Sequence, residues 1–175
     1  MKLVLLRHTE IENPDNLDLS WTDVSLSQEG RRQAEGLAPI LSSYHFDAIF
    51  VSPLRRTSET IEPYLQTLPH PEVLMNKLTI ERNLGAFTGT PAGTFRKHCL
   101  DNGLDRVTTR PEGGESNADV FVRAKKFLAY LKKHYSDRAI LVSGHQNFLR
   151  CLELAIRKEP VKKFYEADRM QRGEI

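Results

Sequence analysis

The sequence predicts an α/β protein, with a three-layer α/β/α fold and a mainly parallel central sheet, built as a single domain over residues 1–175. Three observations indicate this class. Short apolar runs, typical of strands buried on both faces, recur along the chain. Helical patterns alternate with these runs, and strands linked by helices form parallel sheets. A chain of 175 residues with no internal repeat or low-complexity stretch has the length of one domain.

The strands of this sheet are predicted from the apolar runs. Each run is short and is bounded by turn residues or by a helical pattern, as expected for the interior of a parallel sheet. A different pattern covers residues 84–115, which are rich in glycine and are predicted to form an irregular excursion over one end of the sheet. The predicted strands are residues 2–6, 46–51, 73–78 and 139–142.

Helical patterns connect and follow the predicted strands. Serine is a favoured N-cap residue, proline fits the first helical turn, and serine followed three residues later by an acid forms a capping box. Apolar residues spaced three and four apart then mark the buried face. By these criteria helices begin at Ser27, at Ser52 with Pro53, at Ser116 with Asp119, and at Pro160 (ending near Met170), and another has its apolar face at Phe148–Ala155.

Composition indicates which kinds of partner the protein lacks and which cell compartment it suits. The formal net charge is only +2 and the basic residues are scattered, so no nucleic-acid surface is expected. Cys99 and Cys151 lack the spacing of a disulfide framework or a zinc site, which favours a reducing compartment. The apolar start at residues 3–6 is too short for a signal peptide or a membrane span. We therefore expect a cytoplasmic protein without nucleic-acid or membrane partners.

Charged and polar residues follow three of the predicted strands. Arg7 and His8 follow the first strand, residues 52–56 follow the second, and His145 follows the last. Because ligands of such sheets bind beyond the carboxyl ends of the strands, we expect these groups to converge on one rim. Arginine forks match phosphate oxygens and helix N-termini attract anions, so this rim is predicted to bind phosphate.

A histidine in such a pocket is a candidate nucleophile. Neutral imidazole attacks phosphorus at pH 7, and the transferring group carries spread negative charge that positioned cations stabilise. His8 is the candidate for this role. The leaving oxygen also needs a proton, and Glu81, which follows the third predicted strand, is the candidate acid.

The same segments resemble the histidine phosphatase superfamily, in its phosphoglycerate mutase-like branch. Residues 5–10 are similar to the family's Arg-His-Gly-Glu signature, and residues 52–57 to its Ser-x-Leu-x-Arg-Ala segment. Residues 81–89 are similar to the Glu-x-x-x-Gly-x-x-x-Gly segment that carries the acid. The remaining similar segments, in the family's order, are residues 26–34, 113–116, 142–145 and 149–150.

The resemblance implies a role for each candidate residue. His8 would be the phosphate acceptor and Glu81 the proton donor. The phosphate-binding arginine would be Arg56, whereas Arg55 would be an exposed surface residue. No metal and no organic cofactor are implied. The residues implied to bind the phosphoryl group are Arg7, Arg56 and His145, with Asn13 and Gln146 as further contacts.

The chain departs from the family pattern in several places. Asn13 and Asn16 lie on either side of the usual place of the asparagine that follows the first motif, so Asn13 is a candidate phosphate contact only. Thr9 replaces the commoner glycine and adds a side chain next to the nucleophile, as in some α-ribazole phosphatases, whose next segment is partly echoed by residues 21–26. Gln146 replaces the glycine after the second histidine. At residues 173–175 members of the family usually continue into another strand, so we expect an exposed sheet edge that favours pairing with a second copy.

Three functions are compatible with this sequence. The first is a phosphomonoesterase that acts on a small phosphorylated substrate through a phosphohistidine. The second is a phosphoglycerate-type mutase, although only about 25 residues between Gly89 and Ser116 are available for a lid that excludes water. The third is a phospholigand-binding module without catalysis. Trp21, Phe87 and Phe95 are candidates either for the substrate wall or for the core.

Overall fold

A parallel sheet forms the middle layer of the protein. The computed structural model describes residues 1–69, 71–166 and 170–175. Strand β4 pairs in parallel with β1 on one side and with β2 on the other, and β3 pairs with β2. The predicted α/β class with a parallel sheet is therefore confirmed. The strands, in spatial order, are β1 (Lys2–Arg7), β4 (Ala139–Gly144), β2 (Ala48–Val51) and β3 (Val73–Met75).

Helices cover both faces of the sheet. Because successive residues of a strand point to opposite faces, Ile49 and Val51 pack in one core and Phe50 packs in the other. The first core contains the buried faces of α1 and α2, and the second those of α4 and α5. The described helices are α1 (Gln28–Ser42), α2 (Arg55–Leu65), α3 (Thr94–Asp101), α4 (Asn117–His134) and α5 (Gln146–Ile156).

Local sequence determines where two of these helices begin. Ser27 Oγ accepts a hydrogen bond from Gly30 N at 3.0 Å, and Ser116 forms a full capping box with Asp119, so both predicted starts are confirmed. Gly30 is also required by close approach, since a Cβ at this position would lie 1.9 Å from the carbonyl oxygen of Glu10. That contact fixes the chain just after His8 against the start of α1.

The predicted start of α2 was wrong. Ser52 does not cap this helix, which begins at Arg55 after an N-cap at Leu54 that makes no side-chain cap hydrogen bond. The hydroxyl of Ser52 lies in the rim described below. Each strand also differs from the prediction at one end: β1 ends at Arg7, β2 begins at Ala48, β3 ends at Met75 and β4 ends at Gly144.

Residues 84–115 are more regular than predicted. They contain the eight-residue helix α3 and a short 3₁₀ turn at Gly85–Phe87. Gly93, with a φ of 93°, supplies the left-handed residue that precedes α3. At the end of the chain only a 3₁₀ turn at Val161–Tyr165 occupies the predicted last helix, and residues 167–169 lie outside the described residues.

Strand β1 lies at one edge of the described sheet. Gly173 N donates to Arg7 O at 3.0 Å, and Arg7 N donates to Glu174 O at 3.3 Å, so the last residues run beside the carboxyl end of this strand. Pairing of the edge with a second copy of the chain stays a prediction. In the described ranges, no helix is both long enough and apolar enough to cross a bilayer.

Candidate active site

The residues that follow β1, β2 and β4 meet at one rim, as the strand order predicts. His8 donates its backbone N–H to Gly144 O at 3.1 Å, and the ring centroids of His8 and His145 are 5.4 Å apart. A cavity of about 160 Å³ opens over His8, and His145 lies fully buried beside it. The predicted site residues that line this cavity are Arg7, His8, Asn13, Arg56, Glu81 and Gln146.

The imidazole of His8 is held in a single tautomer. Its Nδ1 lies 2.8 Å from the carbonyl oxygen of Thr9, which only accepts hydrogen bonds, so Nδ1 carries the proton. Nε2 therefore keeps its lone pair. Burial, together with the charges of Arg56 and Arg7, lowers the pKa of His8 from 6.5 to about 3. The ring is thus neutral at pH 7, with an unprotonated nitrogen in the rim.

His145 is engaged through both ring nitrogens. Arg56 Nε donates to His145 Nδ1 at 3.3 Å, so the proton of this ring lies on Nε2, which is 2.6 Å from Ser52 Oγ. Burial, followed by the charge of Arg56, lowers the pKa of His145 well below 6.5. Ser52, which the sequence suggests only as a helix cap, therefore orients the second histidine.

The two neutral histidines predict a loss of stability in acid. Their pKa values lie below the value of 6.5 for the unfolded chain, so the unfolded state binds protons first as the pH falls. We expect the free energy of unfolding to decrease below about pH 6.5, with His8 contributing at most about 1.4 kcal/mol per pH unit until its own pKa. Urea unfolding at pH 7 and pH 5 measures this slope. The slope should flatten in His8→Gln and stay unchanged in the exposed control His45→Gln; equal slopes in all three proteins contradict it.

Arg56 connects the loop at residues 20–22 to the rim through hydrogen bonds. Its guanidinium donates to Ser20 O and Thr22 O at 2.8 Å each, as well as to His145. The residue is buried, and burial lowers its pKa from 12.5. The neighbouring Arg55 is exposed and forms an ion pair with Asp23 at 3.3 Å. The sequence-based distinction between these two arginines therefore agrees with their burial.

Glu81 lines the same cavity as His8. One carboxylate oxygen accepts from Arg82 N at 2.7 Å, and the other accepts at 3.4 Å from Asn147 N in the first turn of α5. The Glu81 carbonyl accepts a hydrogen bond from the indole N–H of Trp21 at 2.6 Å. The acid is thus attached to a fixed backbone and lines the cavity over His8.

The remaining predicted residues have different environments. Both polar atoms of the Asn13 side chain bond to the backbone of Leu17 at 3.0 Å, although the residue lines the cavity. Gln146 lines the cavity as the first residue of α5. Thr9 is fully buried, with its hydroxyl 3.3 Å from the hydroxyl of Thr60 on α2, so its side chain does not narrow the approach to His8.

Several residues of the rim were missed by sequence reasoning. Asp18 and Asn147 line the cavity, and the charge of Arg172 contributes to the lowered pKa of His8. Arg82 lines it as well, and its position directly after Glu81 is the one available signal. The others lie on loops or on a helix end, where no local pattern indicates a function.

Comparisons with known proteins agree with this geometry. The family model of the histidine phosphatase superfamily (branch 1) matches residues 3–171. The chain is 31% identical to phosphoserine phosphatase 1 of Hydrogenobacter thermophilus, over 94% of this chain and 80% of that protein. It is 32% identical to a 2,3-bisphosphoglycerate-dependent phosphoglycerate mutase of Cytophaga hutchinsonii, over 89% of this chain and 77% of that protein.

Solved structures show the same fold. A mycobacterial glucosyl-3-phosphoglycerate phosphatase superposes with a TM-score of 0.84 and 26% identity, covering 98% of this chain and 86% of that chain. A protein described as a putative alpha-ribazole-5'-P phosphatase from Escherichia coli gives a TM-score of 0.87 at 24% identity, covering 99% and 87%. The second likeness concerns the fold alone.

Proposed function

The chain belongs to the histidine phosphatase superfamily, and we propose that it is a phosphomonoesterase that hydrolyses a small phosphorylated substrate through a phosphohistidine at His8. The predicted family and the predicted class of enzyme, a phosphatase, are confirmed by its relatives. The observation that carries the specific proposal is the tautomer of His8. A neutral ring with Nδ1–H bonded to Thr9 O offers Nε2 to phosphorus without a preceding deprotonation.

The first step transfers the phosphoryl group to the enzyme. The Nε2 lone pair of His8 forms a bond to phosphorus while the bond from phosphorus to the ester oxygen breaks. Protonated Glu81 gives its proton to that oxygen, which leaves as an alcohol. Arg7 and Arg56 lie beside His8, where their charges stabilise the negative charge spread over the transferring group.

The second step returns the enzyme to its starting state. Glu81, now a carboxylate, takes a proton from water as the water oxygen bonds to phosphorus. The bond from phosphorus to Nε2 breaks, inorganic phosphate leaves, and His8 is again neutral. Both steps need only residues that line the cavity over His8.

Replacement of Glu81 by glutamine tests whether this residue is the proton donor of the proposed hydrolysis. The wild-type protein should release phosphate from both an alkyl phosphate and p-nitrophenyl phosphate. In Glu81→Gln, kcat/KM for the alkyl ester should fall by about 10²- to 10⁴-fold because the alkoxide must leave without a proton. The loss for p-nitrophenyl phosphate should be much smaller, since nitrophenolate is a good leaving group.

The control is Glu112→Gln, which removes an exposed carboxylate in a neighbouring loop. It should leave both rates near the wild-type values. An equal loss on the two esters in Glu81→Gln would contradict a proton-donor role. A wild-type protein that releases no phosphate from any monoester would contradict the proposed hydrolysis, and would favour the phospholigand-binding module.

A mutase is the second candidate, because relatives such as the Cytophaga hutchinsonii protein carry that name. It would share the first step and then return the phosphoryl group to another hydroxyl of the substrate. With 3-phosphoglycerate, we expect phosphate release. Conversion to 2-phosphoglycerate without release of phosphate would favour the mutase.

A further inference from the structure

A second cavity adjoins the one over His8. Its volume is about 380 Å³. It lies between α3, α5 and the 3₁₀ turn at Val161–Tyr165, and is lined by residues of each. The two cavities share part of their wall, so a substrate bound at His8 can extend towards this larger space. The residues that line both cavities are Asp18, Arg82, Leu84, Gln146 and Asn147.

The wall of the second cavity is strongly basic. Four arginines line it, namely Arg82, Arg96, Arg106 and Arg150, and among the described lining residues Asp18 supplies the one carboxylate. The carboxylate of Asp18 accepts a hydrogen bond from Gly93 N at 3.1 Å. The overall charge of the chain is only +2, so this concentration of positive charge is local to the cavity.

Aromatic rings hold three of these guanidinium groups in place. Arg106 lies 3.9 Å from the ring centroid of Tyr165, and Arg82 lies 4.7 Å from that of Phe95. Arg150 lies 5.0 Å from the ring of Phe164. Stacking on a ring occupies the flat face of a guanidinium and leaves its N–H groups at the edge, where they bind a planar or tetrahedral anion.

The positive charge is compensated only in part by the described residues, where the carboxylates of Asp18 and Glu81 act on Arg82. Over residues 1–69, 71–166 and 170–175, neither Arg82, Arg96 nor Arg106 forms a salt bridge. Arg82 is only 4% exposed, and its Nε donates to the carbonyl oxygen of Glu115. In the same ranges, the buried Nε of Arg106 and the buried Nη2 of Arg82 have no hydrogen-bond partner. Burial of the Arg82 cation without a direct ion pair is costly, so an anion supplied by a ligand would stabilise it.

We propose that this cavity binds a second acidic group of the substrate, so that the alcohol released from His8 is itself an acid. The shared chemistry is a carboxylate or a second phosphate held by Arg82, Arg96 and Arg106. The inference rests on the proposed function of the rim, and it adds the chemical class of the leaving group. Arg96 and Arg106 are then the residues that determine specificity, since they lie outside the cavity over His8.

Binding of phosphonates tests the proposal without turnover. Propylphosphonate carries one acidic group, 3-phosphonopropionate adds a carboxylate, and propane-1,3-bisphosphonate adds a second phosphonate. By calorimetry at pH 7, at least one of the doubly acidic compounds should bind the wild-type protein about tenfold more tightly than propylphosphonate does. If 3-phosphonopropionate binds more tightly, the second acidic group is a carboxylate; if propane-1,3-bisphosphonate does, it is a phosphate.

Variants at the second cavity then test which residues cause the tighter binding of the doubly acidic compounds. In Arg96→Met and Arg106→Met the advantage should fall to about threefold or less, while the affinity for propylphosphonate stays unchanged. Arg106→Lys should keep part of it. Arg157→Met removes an exposed arginine that pairs with Glu153 at the end of α5, and should keep all of it.

Equal affinity for all three compounds would overturn the proposal, as would an advantage that survives in Arg96→Met and Arg106→Met. If none of the three compounds bound to the wild-type protein, the proposal would be overturned as well, because the second acidic group is expected to bind only together with a phosphonate at His8. Hydrolysis of simple monoesters by the same preparation shows that the proposed function stands even if the second subsite fails.

Discussion

Replacement of His8 by alanine is expected to lower kcat/KM for p-nitrophenyl phosphate by about 10⁴-fold or more. The reason is that the covalent route is lost altogether. His8 Nε2 is the one nitrogen in this rim with a free lone pair by the hydrogen bonds of the described residues, because both nitrogens of His145 are engaged. Steady-state release of nitrophenol, followed over a range of substrate concentrations, measures the change.

Trapping of the intermediate gives a second measurement. Rapid acid-free quenching of the wild-type protein with labelled phosphate ester should yield a protein-bound phosphate that is stable in base and labile in acid, as expected for phosphohistidine. His8→Ala should yield none. The exposed control His45→Ala should label as the wild type does. Turnover that survives in a folded His8→Ala protein would remove the basis of the proposed mechanism.

The position of the rim could be predicted because it depends on topology. Parallel strands place their carboxyl ends at one edge, so residues after β1, β2 and β4 had to meet once these strands were identified. The convergence of Arg7, His8, Arg56 and His145 needed only this rule. Helix starts with strong local chemistry, such as Ser27 and the capping box at Ser116, were equally accessible.

Other features depend on contacts between distant segments. Ser52 has the residue type of a helix cap, but its hydroxyl bonds to His145, which lies 93 residues further along the chain. The helix α3 is flanked by Gly93 and Gly103, and these glycines suggested a loop rather than a helix with glycine at its two ends. The second cavity gathers residues from six separate segments of the chain, so no local pattern could indicate it.

Arg56 and Arg55 are adjacent arginines, one buried and one exposed, so their replacements separate the effect of position from the effect of charge. Arg56→Met is expected to lower kcat/KM by about 10³-fold, because a buried cation next to His8 is removed from the transferring phosphoryl group. Arg55→Met removes the same charge from an exposed position, where its partner is Asp23, and should change kcat/KM by less than about twofold. Both rates are measured with p-nitrophenyl phosphate at one ionic strength.

Structural damage must be separated from lost catalysis, because Arg56 also holds Ser20 O and Thr22 O. Arg56→Lys keeps a positive charge but lacks the planar fork that reaches both carbonyls and His145. If the charge near His8 dominates, Arg56→Lys should recover part of the rate that Arg56→Met loses. If fixing the loop dominates, the two variants should be equally slow and equally destabilised in urea. A fully active Arg56→Met protein would show that the phosphoryl group is stabilised elsewhere in the rim.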